Sequence, residues 1–317
     1  GDNILDASNH PEIQEIVEKC INEKKSVFYD TENIKKNGDK IWVQTTLTPI
    51  LDDDKKEIVK LVAIDSDITK LKEQEKEIQM EKEKSEKLLL NILPETTAHE
   101  LKERGTAEPR NYRFVSIMFT DFKGFTRTCE GLSPQEIVEE LHMYFAKFDA
   151  IMEKHFLEKI KTIGDAYMCA GGLPIRNKSN PVNCILAAME IVWFMNEMNK
   201  VKREKDMPVW ELRIGIHTGR VIAGVVGIKK MMYDIWGDSV NIASRMESVG
   251  EVGKINISEA TYEHIKDYFD CTYRGKIEVK NKGKIDMYYV NRILPELSKD
   301  ESGFEPNEKF EKLIAEL

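Results

Sequence analysis

The sequence predicts an α+β protein whose largest domain has the β-α-β-β-α-β order of ferredoxin-like folds. Apolar runs with the composition of strands alternate with two long segments of helical periodicity, and one apolar run is divided by Gly164-Asp165, which is typical of a hairpin turn. The predicted elements are a strand at 114–119, a helix at 134–156, a hairpin at 160–170, a helix at 181–199 and a strand at 212–217. We therefore assign residues 111–295 to this domain.

The composition sets the class of protein before any motif is considered. The chain has 317 residues, of which 41% are hydrophobic and 32% are charged, so it resembles an ordinary globular protein of about two domains. Its net charge of −9 argues against a general nucleic-acid partner. The negative charge is concentrated in 1–69 and 296–317, whereas 111–295 is slightly basic. The overall acidity therefore does not argue against a phosphate-rich ligand of the main domain.

Cysteine spacing and hydropathy bear on location. The five cysteines are widely separated and form no C-x-x-C pair, which indicates neither a zinc site nor a disulfide framework and favours a reducing, cytoplasmic environment. The longest apolar stretch, 182–195, is too short for a transmembrane helix. The chain begins with Gly1 rather than Met, so we leave open an upstream sensor or membrane segment.

Residues 1–69 contain a helical stretch at 10–22 and strand-like runs at 41–47 and 58–64. The segments Gly38-Asp39-Lys40-Ile41-Trp42 and Asp65-Ser66-Asp67-Ile68-Thr69 are similar to the C-terminal half of a PAS sensor domain. The resemblance implies a partial PAS-like α/β segment. A reactive cysteine of the kind found in flavin-binding PAS domains is not present at the matching position, which holds Ile4.

Residues 70–93 are predicted to form a signalling helix that ends at Pro94. Glu and Lys dominate this segment, and it contains neither Gly nor Pro. A heptad seam includes Ile68, Leu71, Glu75, Ile78, Lys82, Ser85, Leu89 and Ile92. The interrupted seam is compatible with a single exposed helix or with a parallel two-stranded coiled coil of weak register. Residues 94–110 are assigned as a connector and 296–317 as a loosely attached acidic tail.

Two aspartates are the strongest candidates for chemistry. No P-loop and no dinucleotide-binding glycine motif occurs in the sequence. Asp121 follows an apolar strand, and Asp165 lies at the hairpin turn. Since the first and third strands of this fold are antiparallel neighbours, we expect the two carboxylates to meet and to bind Mg²⁺ or Mn²⁺. Each Asp taken alone is also compatible with a turn or capping role.

The sequence resembles the class III nucleotidyl cyclases from about Tyr112 to Val290. Four blocks in the family's order carry the resemblance: Phe119-Thr120-Asp121 with Gly124-Phe125-Thr126, Lys161-Thr162-Ile163-Gly164-Asp165, His217-Thr218-Gly219-Arg220-Val221, and the run from Tyr233 to Met246. The resemblance implies two metal ions per site.

The resemblance also implies a role for each matching residue. Asp121, Asp165 and the backbone carbonyl of Phe122 would bind the ions. Asn241 would orient the ribose, and Arg245 would neutralise charge on the α-phosphate. Arg220 and Lys282 match positions that contact the phosphates. Taken alone, Arg245 is also compatible with a surface salt bridge, and the basic run around Lys282 with a solvated turn.

The matching base-contact positions hold Lys161 and Asp234. A Lys donor and an Asp acceptor complement N1 and N6 of adenine, whereas guanylate-specific relatives have Glu and Cys there. We therefore expect an adenylate cyclase that converts ATP to cyclic AMP and pyrophosphate. Lys161 is also compatible with protection of a strand edge, and Asp234 with a turn.

In this family the metal-binding and base-binding residues of one active site come from two subunits. This chain has both sets, so the resemblance implies a homodimer with two equivalent sites. A guanylate cyclase and a catalytically silent dimeric signalling module are the alternatives.

Overall fold

The structure, a computed structural model, describes residues 10–35, 38–54, 57–227, 229–279 and 283–317. The chain divides into two units, 1–89 and 90–317. Within the described ranges, no helix combines the length and apolar character that crossing a bilayer requires.

The first unit is a small antiparallel sheet with one packed helix. Its elements are α1 (Ile13–Glu23), β1 (Val27–Ile34), β2 (Lys40–Leu51), β3 (Ile58–Asp67) and most of α2 (Thr69–Leu90). The strand order is β1-β2-β3. Val17 and Cys20 of α1 pack against Leu47, and together they form the core of this unit.

Strand β1 was not expected from the sequence. Tyr29 and Thr31 are buried, whereas Phe28 and Glu32 on the opposite face are exposed. The strand therefore has the alternation of a half-buried strand, but its acidic residues mask the pattern in a composition-based prediction.

Helix α2 begins directly after the sheet. The hydroxyl and backbone N–H of Thr69 both donate to Asp67, and the Thr69 hydroxyl accepts a hydrogen bond from the backbone N–H of Trp42. Lys72 forms an ion pair with Asp30 at 2.8 Å. The start of the helix is therefore fixed to the sheet by its own side chains.

The end of α2 differs from the prediction. The helix ends at Leu90 rather than Leu93, and Pro94 precedes a second helix in the segment that we expected to be a connector. Proline is favourable beside a helix N-terminus, because the first turn needs no N–H from it.

The second unit contains the ferredoxin-like core and its extensions. Its helices are α3 (Glu95–Arg104), α4 (Phe125–Thr128), α5 (Pro134–Lys154), α6 (Asn180–Glu204), α7 (Asp238–Ser248), α8 (Glu259–Ile265) and α9 (Glu308–Ala315), with a short 3₁₀ turn at Pro295–Leu297. Its strands are β4 (Arg110–Phe122), β5 (Leu157–Ile163), β6 (Ala166–Gly171), β7 (Leu212–Val226), β8 (Met232–Trp236), β9 (Ile255–Ser258), β10 (Phe269–Val279) and β11 (Gly283–Ile293).

These strands form one sheet in the order β10-β11-β9-β7-β4-β6-β5, and β8 pairs with β7. The last four strands of this order, β7, β4, β6 and β5, together with α5 and α6, confirm the predicted β-α-β-β-α-β plan. Met118 and Ile216 lie in the core that also contains residues of α5 and α6. Gly215, on the opposite face of β7, contacts α7. Helix α7 is therefore on the other side of the sheet from α5 and α6.

The expectation of a loosely attached tail is wrong. Leu297 and Phe310 are each only 2% exposed and belong to the main core. The ring of Phe310 makes an edge contact with Phe269, with 5.9 Å between centroids. The acidic average of 296–317 hid these apolar positions, which are sufficient to attach the segment to the domain.

Candidate active site

Asp121 and Asp165 are brought together by the register of the sheet. Strands β4 and β6 are antiparallel, with Thr120 opposite Tyr167, so the end of β4 lies beside the β5–β6 turn that contains Asp165. Burial, and next the nearby Asp121 carboxylate, raise the pKa of Asp165. The structure therefore places the two carboxylates as the sequence predicted.

Phe122 fixes the end of β4. Its side chain is 2% exposed and contacts Trp210 and Tyr144, with centroid distances of 4.9 and 5.4 Å. Adjacent strand residues point to opposite faces, so burial of Phe122 directs Asp121 toward the face that α7 covers. The aromatic contacts thus position the neighbouring carboxylate.

Arg213 is a site residue that the sequence interpretation missed. It lies directly across the β4–β7 ladder from Asp121, and its Nη2 atom is 2.7 Å from Asp121 Oδ2. The same nitrogen is 2.9 Å from Glu247 Oε1, and Nη1 donates to the backbone carbonyl of Ser248 at 3.2 Å. The sequence gives little indication of this pair, because Arg213 and Asp121 are far apart along the chain and only the antiparallel register of β4 and β7 aligns them.

Glu247 is the other residue that was missed. Burial is the main cause that raises its pKa to about 7; Arg213 opposes the shift, and the Asp121 and Asp165 carboxylates add to it. Three carboxyl groups therefore lie near one guanidinium, which forms ion pairs with Asp121 and Glu247. This is a centre of excess negative charge that a divalent cation would relieve.

The donor set fits Mg²⁺ or Mn²⁺. Among the described residues, no group of three or more His, Cys, Asp or Glu side chains has the arrangement of a complete metal site. Mg²⁺ is commonly held by one or two carboxylates, with phosphate oxygens of the substrate completing the coordination. Asp121 and Asp165 supply such an incomplete oxygen site.

Lys161 and Asp234 form a second polar centre. Lys161 Nζ donates to Asp234 Oδ2 at 2.6 Å, and the backbone N–H of Ile235 donates to Asp234 Oδ1 at 2.8 Å. The Asp234 side chain is 11% exposed and that of Lys161 is 28% exposed. The two residues that we expect to contact the base are thus adjacent although they are far apart in sequence.

The other predicted residues have different positions. Asn241 and Arg245 are exposed on α7, where a spacing of four residues places them on one helix face. Arg220 is exposed on β7, seven residues from Arg213, which corresponds to roughly 23 Å along an extended strand. Arg220 therefore does not join the carboxylates of its own chain. Lys282 lies outside the described residues.

Comparison with known proteins identifies the family to which this fold belongs. Residues 107–292 match the model for the adenylate and guanylate cyclase catalytic domain, and residues 1–70 match a PAS domain model. The chain therefore belongs to the adenylate and guanylate cyclase family, and its catalytic domain follows a PAS domain.

Relatives of both substrate classes are equally similar. An adenylate cyclase of Mycobacterium tuberculosis (strain ATCC 25618 / H37Rv) is 38% identical over 214 residues, which cover 67% of this chain and 47% of the relative. Human retinal guanylyl cyclase 2 is 38% identical over 224 residues, covering 69% and 20%. The chain thus spans less than half the length of these curated relatives.

Solved structures support the same family. The adenylyl cyclase CyaB from P. aeruginosa aligns with a TM-score of 0.55 and 31% identity, covering 58% of this chain and 95% of that chain. The alignment covers the share of the chain expected for the catalytic domain alone.

Proposed function

We propose that this protein is an adenylate cyclase, which converts ATP to cyclic AMP and pyrophosphate. The observation that carries the proposal is the Lys161–Asp234 pair, with its 2.6 Å contact. The ammonium group can donate to N1 of adenine, and the carboxylate can accept from the N6 amino group. Guanine presents the opposite pattern, N1–H and O6, and would leave both side chains mismatched.

Asp121, Asp165 and the carbonyl of Phe122 would hold two Mg²⁺ or Mn²⁺ ions. When bound, the ions lower the pKa of the ribose 3′-hydroxyl and neutralise the departing pyrophosphate. The 3′-hydroxyl gives its proton to water, its oxygen forms a bond to the α-phosphorus, and the bond from the α-phosphorus to the oxygen that bridges it to the β-phosphate breaks, so that pyrophosphate leaves. The aromatic packing of Phe122 keeps the Asp121 carboxylate beside that of Asp165, so the metal-binding part of the site is already formed within each chain.

Other residues would act on the sugar and phosphates. Asn241 would orient the ribose, and Arg245 would neutralise charge on the α-phosphate in the transition state. Lys282 and Arg220 remain proposed phosphate contacts. Arg213 is added to this set, because its guanidinium lies beside Asp121, where a triphosphate carried by the ions would arrive.

A homodimer would complete each site. Among the described residues of one chain, Asp121 pairs with Arg213 and Lys161 pairs with Asp234, so the two centres have separate partners, and Asn241 and Arg245 are exposed. We propose that the carboxylates of one subunit face the base, ribose and α-phosphate residues of the other. The exposure of Asn241 and Arg245 is consistent with this sharing.

The PAS domain would regulate this dimer through α2. No residue of α2 is buried within its own chain, and the apolar side chains of Leu71 and Ile78 are 52% and 68% exposed. We propose that two α2 helices pair as a parallel coiled coil, which transmits changes in the PAS domain to the catalytic domains.

The test is incubation of the purified protein with ATP or GTP, each with Mn²⁺, followed by chromatography of the cyclic products. We expect cyclic AMP from ATP and little cyclic GMP from GTP. Preferential formation of cyclic GMP would support the guanylate alternative, which the equal similarity to human retinal guanylyl cyclase 2 keeps open. Absence of both products would identify a silent dimeric module.

A further inference from the structure

We propose that Glu247 is a positioning residue that draws Arg213 away from Asp121 and so keeps the Asp121 carboxylate available to a divalent cation. The inference rests on the proposed function, because it assumes that Asp121 and Asp165 bind the metal. It assigns a role to Glu247, which pairs with Arg213 and with neither of the proposed metal-binding aspartates.

Asp121 and Glu247 compete for one nitrogen atom of Arg213. Arg213 Nη2 lies between two carboxylates, 2.7 Å from Asp121 Oδ2 and 2.9 Å from Glu247 Oε1. A guanidinium that pairs fully with Asp121 would occupy the oxygen that a metal ion needs. Glu247 offers the same nitrogen an alternative partner, so Asp121 can turn to a cation without leaving Arg213 buried and unpaired.

Glu247, the alternative partner of Arg213, is rigidly placed. A Cβ atom at Gly215 would lie 1.9 Å from the backbone nitrogen of Glu247, so α7 contacts β7 directly at this point. Asn256 Nδ2 donates to the backbone carbonyl of Met246 at 2.7 Å. The last turn of α7 therefore cannot follow Arg213 toward Asp121.

Arg213 has a second contact on the same helix. Its Nη1 atom donates to the Ser248 carbonyl at 3.2 Å. Asp121 accepts a hydrogen bond from Nη2, and Glu247 forms an ion pair with that nitrogen, so α7 contacts both terminal nitrogens of the guanidinium and Asp121 contacts one. Loss of the Glu247 charge would therefore strengthen the pairing of Arg213 with Asp121.

The experiment measures Mn²⁺ binding to the full chain without nucleotide at pH 8, where the Glu247 carboxyl is ionised, from the electron paramagnetic resonance signal of free Mn²⁺. We expect Glu247→Gln to weaken Mn²⁺ binding by roughly tenfold, as is typical when a residue that orients a metal ligand is lost. Glu247→Asp retains the charge but shortens the reach, so an intermediate loss is expected. Thermal melting of each variant verifies that it is folded.

Two controls distinguish a positioning role of Glu247 from a nonspecific effect of removing a negative charge. Glu190→Gln removes a carboxylate on α6 that is paired with Lys154 and His155, and it should leave Mn²⁺ binding unchanged. A double-mutant cycle with Arg213→Gln tests the route: if Glu247 acts through Arg213, Glu247→Gln should have little further effect in the Arg213→Gln background. An equal loss in both backgrounds would show a long-range charge effect and overturn the positioning role.

The outcomes also distinguish this inference from the proposed function. If Asp121→Asn leaves Mn²⁺ binding intact, or the unmodified chain binds no Mn²⁺, the proposed metal site is wrong. If Asp121→Asn abolishes binding while Glu247→Gln binds as tightly as the unmodified chain, the metal site stands and the role of Glu247 is wrong.

Discussion

At the residue scale, the two polar centres of the catalytic unit differ in electrostatic character. The Lys161–Asp234 pair is balanced, with one positive and one negative group in direct contact. The centre at Asp121, Asp165 and Glu247 has three carboxyl groups and one nearby guanidinium, and burial raises the pKa of both Asp165 and Glu247. The balanced pair suits recognition of a neutral base, and the acidic centre suits a cation.

Exchange of the base-contact residues should change the preferred nucleotide. Combining Lys161→Glu with Asp234→Cys replaces the adenine-complementary groups by those of guanylate-specific relatives, and we expect the ratio of kcat/KM for ATP over GTP to fall by at least about 100-fold. Steady-state kinetics with both nucleotides measures this ratio. The matched control combines Lys159→Glu with Asp149→Cys, an ion pair of 2.8 Å outside the site, and should keep the ratio. Retained ATP preference in the first variant would contradict the assignment.

Glu247 should make stability depend on pH. Its pKa is about 7 in the folded protein and 4.5 ordinarily, so the folded state holds a proton that the unfolded state releases. The stabilisation of the folded state by this proton is fully present below about pH 4.5 and is lost as the pH rises through 7. We expect the unmodified protein to lose roughly 2–3 kcal/mol of free energy of unfolding, relative to Glu247→Gln, between pH 5 and pH 8. Urea denaturation in EDTA measures it; a constant difference would contradict the shifted pKa.

At the element scale, α7 connects the two kinds of site residue. Its exposed face presents Asn241 and Arg245, and its inner face contacts Arg213 through Glu247. The helix is held at a fixed distance from β7 by the close approach at Gly215. Residues that we propose to serve different active sites are thus carried by one rigid element.

This packing predicts that Gly215 cannot be enlarged. In Gly215→Ala the new Cβ would meet the Glu247 backbone, which cannot move aside as a flexible side chain would. We expect a loss of about 3 kcal/mol in the free energy of unfolding, together with loss of cyclase activity. The control is Gly224→Ala on the same strand, where the nearest atom, in Pro109, is 3.4 Å away; it should cost less than about 1 kcal/mol. Equal stability of the two variants would show that α7 is free to shift.

The seam of α2 predicts the effect of apolar substitution. Replacing Glu75, Lys82 and Ser85 by Leu removes the polar interruptions, and we expect dimerisation to tighten by at least about tenfold and activity to become independent of the state of the PAS domain. Sedimentation equilibrium and activity at several protein concentrations measure these effects. The control places Leu at Glu77, Lys84 and Lys87, which lie off the seam. An equal gain from both sets would reflect nonspecific hydrophobicity rather than a defined coil.

At the scale of the whole molecule, a shared active site permits complementation. Asp121→Ala should abolish activity through loss of the metal site, and Arg245→Ala should greatly reduce it through the α-phosphate. A mixture of the two variants should recover about a quarter of normal activity, because half of randomly formed dimers contain one intact site of two. Co-refolding or coexpression followed by an assay tests this. No recovery in verified mixed dimers would mean that each chain forms its own site.

Sequence patterns predicted the core of the fold but not all of its surroundings. The β-α-β-β-α-β core was identified because its strands and helices have clear periodicity. Strand β1, helix α3 and the packed C-terminal segment were missed, since acidic residues obscure a few apolar positions such as Phe310 that decide burial. Average composition does not distinguish a solvated segment from one fixed by two large side chains.

The sequence by itself determined the family, and its motifs made Asp121, Asp165, Lys161 and Asp234 the candidate site residues, because these motifs are read along the chain. Only the tertiary structure decided which side chains share an environment. Arg213 joins Asp121 through an antiparallel register, and Glu247 joins both through the packing of α7 on Gly215. Contacts between distant segments depend on register and on the distance between packed elements, and neither is encoded in local sequence spacing.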